Sequence, residues 1–121
     1  KIQNGADFAL TQPVFNPTKA LEFITTCQSR FGPAMIPVVA GIQPLYSSGN
    51  AEFLHNEVPG ITIPDDVRQR MYSAAGQQAE GVRIAQEILE EMSPRIQGVY
   101  MIPVFGHYNL VADVLDVLNE P

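Results

Sequence analysis

Apolar residues recur along this chain in two rhythms. At Ala20, Ile24, Cys27 and Phe31 they fall three or four positions apart, which places them on one face of a helix. Asn16 is a good cap for that helix, Pro17 a favoured first residue, and Gly32 a stop. A longer helix is predicted over 77–92, with Val82, Ala85, Ile88, Leu89 and Met92 in one stripe and Glu87, Glu90 and Glu91 pointing elsewhere, closed by Pro94. "NLVADVLDVL" repeats the pattern through Leu110, Val111, Val114 and Leu118. Shorter helices are predicted around 51–57, capped by Asn50 and broken by Pro59 and Gly60, and from Asp65 and Asp66 onward.

The second rhythm is that of short strands. "ADFALTQ" (6–12), "IPVVAGIQP" (36–44) and "GVYMIPV" (98–104) are apolar on both faces, as parallel strands covered on two sides are. "ITIP" (61–64) is too short for a core strand. The order is strand, helix, strand, helices, strand, helix, which predicts βαβ crossovers and an α/β fold with a parallel sheet. It fits an incomplete doubly wound sheet or the last three strand-helix units of a (β/α)8 barrel; a barrel needs about 250 residues. The opening "KIQNGADFALTQ" reads as a helix tail, a stop at Gly5 and then a strand, so the chain is expected to begin in mid-fold.

Composition narrows the classes. A length of 121 residues with 45% apolar content suits one domain or a piece of one. The net charge is -6 and the seven Lys and Arg are scattered, so no basic stripe is available for nucleic acid. Apolar runs such as "MIPVVAGI" fall far short of the roughly 20 residues of a membrane span, and the N-terminus lacks a basic-then-apolar signal pattern. Cys27, the single cysteine, makes no internal disulfide; it is expected to be buried and inert in a reducing, cytoplasmic compartment.

Ligands of parallel α/β folds sit at the carboxyl ends of the strands. Gln12, Gln43 and residues 103–108 map to that edge. A glutamine amide donates and accepts at once, which suits a planar heterocycle carrying both kinds of group; it equally suits the satisfaction of nearby backbone. His55 and His107 lie too far apart to make a metal motif, and His107 has the stronger claim to a pocket. Asp65 and Asp66 are read as a helix cap in preference to a catalytic pair. The glycines form neither a Walker loop nor a dinucleotide fingerprint.

The residues of this edge resemble a known family. "GADFALTQPVF" (5–15), "VVAGIQPL" (38–45), "GITIPDDV" (60–67) and "EGVRIAQEIL" (80–89) are similar, in order and spacing, to the carboxyl-terminal part of the methylenetetrahydrofolate reductase barrel. "NAEFLHNEVPGI" (50–61) and "QGVYMIPVFGHYNL" (97–110) resemble the bacterial bifunctional proteins that join a homocysteine S-methyltransferase to such a reductase. The resemblance implies that residues 1–121 are the end of a (β/α)8 barrel. It also implies FAD as cofactor, NAD(P)H as reductant and a folate as substrate, in one-carbon metabolism and methionine synthesis. Gln12 matches the family's folate-recognising glutamine, with Gln43 and Tyr46 as further substrate-binding candidates. Stand-alone members carry an aromatic residue where this chain has Ser47, Ser48 and Gly49, and Tyr46 is the substitute. The acidic residue of the first strand and most FAD contacts belong to the other half of the barrel, so no catalytic residue and no metal site are expected here and the chain alone should be inactive. Open strand edges predict a homo-oligomer, with strand exchange as one form of it. The rival expectation is a non-enzymatic α/β module that binds a ligand or partner.

Overall fold

The computed structural model describes residues 5, 7–103 and 106–119, the last two by backbone alone. The expectations for residues 1–4, 6 and 104–105 and for the Leu118 side chain therefore lie outside the described residues. Three strands, β1 (Ala9–Pro13), β2 (Val38–Ile42) and β3 (Gly98–Met101), form one parallel sheet in the order β1-β2-β3. Between β1 and β2 runs α1 (Pro17–Phe31); between β2 and β3 run α2 (Ser48–Glu57), α3 (Asp65–Ser73) and α4 (Gln77–Met92); α5 (Tyr108–Leu115) follows β3. This is an α/β architecture of three successive parallel strands with their helices, a partial (β/α)8 barrel.

The two rhythms explain the layers. On β2, Val38, Ala40 and Ile42 share one face and are buried under the helices together with Ile24 of α1 and Ile84, Ala85, Ile88 and Leu89 of α4. α4 anchors this layer: it also buries Gly81 and Met92, whereas α1 buries Ile24 alone. Burying a residue of Leu, Ile or Met size contributes about 1.5–3 kcal/mol, so the difference between the two helices is several such contributions. Residues of the opposite parity look away from the helices. Leu10 pairs with Val39, and Val39 with Gly98. On this second face Phe8 and Leu10 are 56% and 61% exposed. A strand expected to be covered on both sides is covered on one.

Helix boundaries follow the capping chemistry with two corrections. Asn16 caps α1 as expected, its Oδ1 accepting the Lys19 N–H at 3.2 Å, with Pro17 first in the helix; Gly32 ends it at φ 52. α2 begins earlier than predicted because Ser47 is the cap, its Oγ accepting the Asn50 N–H at 3.0 Å. Asp65 and Asp66 make no side-chain capping bond: Pro64 holds the cap position, and the two carboxylates stand in the first turn, where they complement the helix dipole. Cys27 is half-buried instead of buried. "ITIP" forms no strand, yet Ile61 and Ile63 both reach the core.

Candidate functional site

The carboxyl end of β1 leaves its ladder through a bulge. Leu10 pairs with Val39 and Pro13 with Gly41, so β1 takes three steps where β2 takes two. Such an irregularity bends the strand and re-aims its side chains. Thr11 repairs the hydrogen bonding locally. Its hydroxyl oxygen accepts the Gly41 N–H at 3.0 Å and donates to the Gln12 carbonyl at 2.8 Å. Pro13 has no N–H to place, and the Val14 N–H donates to the Gly41 carbonyl at 2.9 Å. The Thr11 carbonyl accepts the phenol of Tyr100, which crosses the central strand over Gly41. A Cβ on Gly41 would lie 2.8 Å from Tyr100 Cζ and 3.2 Å from the Thr11 carbonyl oxygen, so the crossing requires glycine.

Gln12 is the residue this bulge delivers. Its side chain is exposed, and its carboxamide rests against Gly60 in the connection between α2 and α3. Gln43, the first residue past β2, is buried at 8% exposure. Tyr46 lies three residues further on, half-buried. Its N–H donates to Asn50 Oδ1 at 3.4 Å, and its ring stacks on His107 with centroids 5.2 Å apart and planes 28° off parallel. The stack ties the loop after β2 to the residue that precedes α5. His107 thus joins a predicted site residue. His55 does not: it sits on α2 with Nδ1 accepting the Ile63 N–H at 3.0 Å, a structural bond that holds the 58–64 connection.

Two contributors escape sequence reasoning. Asn50, expected as a helix cap, is a buried organiser of the Tyr46 turn at 7% exposure. Gly60, expected only as a helix breaker, touches Gln12. A Pro-Gly pair signals a turn but not what the turn will meet.

Charge is concentrated in the outer helix layer. Arg70 of α3 is held by α4: its two terminal nitrogens donate to both oxygens of Glu87 at 2.9 Å and its Nε to Glu80 at 2.8 Å. The fork to Glu87 raises the guanidinium's pKa further above its ordinary value and holds the Glu87 carboxyl below the usual range. A cleft of about 270 Å³ opens beside the pair, walled by Asn16, Thr18, Asp66, Arg70, Glu87 and Glu91. Its one arginine is already neutralised, so the cleft has little to offer an anion.

Arg68 is likewise paired, with Asp65 and Glu52. Arg30 and Arg95 lie at the last turn of α1 and just past α4, at the opposite edge from the strands' carboxyl ends. A flavin pyrophosphate calls for a set of cations or a glycine-bracketed turn, and Lys19, in the first turn of α1 beyond the carboxyl end of β1, is a single lysine rather than such a set. No group of three or more His, Cys, Asp or Glu among the described residues could hold a metal ion. No helix among them is long and apolar enough to cross a membrane.

Comparison with solved structures places this fold beside an uncharacterised protein from Clostridium thermocellum, described as binding two copies of 5-methyl-5,6,7,8-tetrahydrofolic acid. The TM-score is 0.71 at 18% identity, over 96% of this chain and 43% of that one, so the present chain spans less than half of that protein's length. No curated protein matches the sequence. The family model described as methylenetetrahydrofolate reductase matches residues 1–109, and the chain belongs to that family.

Proposed function

We propose that residues 1–121 form the last three strand-helix units of a reductase barrel whose carboxyl edge binds a reduced folate. The observation that carries this is Gln12: in a chain of this family, one side-chain amide stands at the carboxyl end of β1, presented by the Thr11 bulge. A pterin offers a carbonyl and amino groups along one edge, and a glutamine amide both donates and accepts. Gln43 and Tyr46 add contacts from the end of β2, and the Tyr46–His107 stack offers a flat apolar surface to an aromatic ring. The folate description of the Clostridium protein supports the same ligand class.

In this proposal the whole protein reduces methylenetetrahydrofolate to methyltetrahydrofolate with NAD(P)H. FAD supplies the hydride chemistry, and the remainder of the barrel holds it, since the residues described here do not fit it. Gln12, Gln43 and Tyr46 bind and orient the folate. This chain alone is expected to be inactive.

The test restores the upstream strands. The purified protein should be yellow, be bleached by NADH and bind methyltetrahydrofolate. Gln12→Glu should weaken folate use by about tenfold or more, by leaving the pterin carbonyl opposite a carboxylate oxygen that cannot donate to it, while bleaching by NADH persists. Equal loss of both would remove Gln12 from its assigned role. A second reading, a folate-binding protein without redox chemistry, is favoured by the Clostridium protein's description. Colourless protein that still binds methyltetrahydrofolate would select it; colourless protein that binds no folate would overturn both.

A further inference from the structure

The carboxamide of Gln12 occupies the space that a side chain at residue 60 would fill. A Cβ on Gly60 would stand 2.6 Å from Gln12 Oε1, 3.2 Å from Nε2 and 3.3 Å from Cδ. Gly60 also has φ 85, in the left-handed region that glycine enters without steric cost. Neither wall of this contact is free to swing. The Ile61 N–H donates to the Val58 carbonyl at 3.3 Å, Ile61 and Ile63 are buried, and the Ile63 N–H is held by His55 Nδ1. On the other side, the Gln12 backbone is fixed by the Thr11 hydroxyl on its carbonyl and by the bulge pairing of Pro13 with Gly41. Two anchored backbones therefore confine one mobile group, the amide between them.

We propose that Gly60 is a positioning residue for Gln12: the side chain it lacks sets the direction in which the amide is presented to the folate. This rests on the folate reading above. A Cβ at residue 60 turns the amide out of its present rotamer, so its effect on ligand binding passes through Gln12, separately from any backbone strain at this positive φ.

The experiment is a double-mutant cycle on the complete barrel protein, read as methyltetrahydrofolate affinity. Gly60→Ala should raise Kd by about tenfold, the size of one substrate hydrogen bond misdirected. In a Gln12→Ala background the same substitution should cost no further affinity. Because alanine is strained at positive φ, Gly60→Asn is run in parallel. It carries the same Cβ but tolerates the left-handed region, and it decides the cycle if Gly60→Ala fails to fold. Unchanged affinity in the variants that fold, or a loss that persists in full without the Gln12 side chain, overturns the proposal while leaving folate binding intact. Wild-type protein that binds no folate overturns the folate reading and this inference with it.

Discussion

At Gly81, helix α4 meets the carbonyl of Leu45 with no side chain between the two backbones. A Cβ there would overlap the carbonyl oxygen and stand 2.7 Å from the carbonyl carbon. Leu45 is 1% exposed and precedes Tyr46, so backbone would have to move at the base of the candidate site. Gly81→Ala is expected to destabilise the chain by roughly 3 kcal/mol. Gly98→Ala, whose Cβ would meet Val39 at an ordinary 3.7 Å, should stay within about 0.5 kcal/mol. Urea melts of the two variants decide; similar midpoints would contradict the contact.

The Tyr100 crossing yields a coupled pair. Tyr100→Phe removes the donor to the Thr11 carbonyl and should cost about 1 kcal/mol. Gly41→Ala, pushed against the Tyr100 ring, should cost about 1–3 kcal/mol. Much of that second penalty should disappear in a Tyr100→Ala background, because the ring is its main source. Strict additivity in denaturant melts would place the strain elsewhere.

The Arg70–Glu87 fork should be visible in the pH dependence of stability. Glu87 titrates below its ordinary value of 4.5 in the folded chain because Arg70 binds its charged form. Its contribution is therefore fully present above about pH 4.5 and is lost as the pH falls through the lower folded value. Both side chains are partly exposed, at 35% and 55%, which limits the pair to about 0.5–1 kcal/mol. Glu87→Gln should be less stable than wild type at pH 7, with the difference shrinking as the pH falls below 4.5 and through the lower folded value; a constant difference in melts would refute the linkage.

The exposed face of β1 predicts self-association of the isolated chain. Leu10 on β1 and Phe8 just before it are largely exposed, and β1 is an edge strand that can still pair. Sedimentation should show concentration-dependent oligomers, and Leu10→Lys should weaken them by about tenfold or more, as expected for losing one buried leucine. A monomer at every concentration, with an ordinary cooperative melt, would count against it.

Much of this architecture is legible in the residue pattern, for identifiable reasons. The helix expected over roughly 77–92 is found there because its apolar stripe and Pro94 act locally. Asn16 and Pro17 mark the start of α1 for the same reason. Gln12 is legible as a strand-end residue because Pro13, which has no N–H to give a ladder, follows it directly. What escapes is non-local. Thr11 reads as an ordinary strand residue until Gly41, 30 positions away, needs an acceptor for its N–H. Gly60 and Gly81 look like punctuation and a gap in a stripe; each is glycine because of what arrives from another part of the chain. The Tyr46–His107 stack joins residues whose approach only the sheet can arrange.

The bulge in β1 also determines what could be moved to another scaffold. Because Leu10 and Pro13 pair on one face of the sheet although three residues apart, a period-two alignment of this strand slips by one beyond Leu10. Transplanting the glutamine alone would aim it at the wrong side. The transferable unit is the quartet of Thr11, Gln12, Gly41 and Tyr100, in which three residues hold the strand that carries the glutamine in phase.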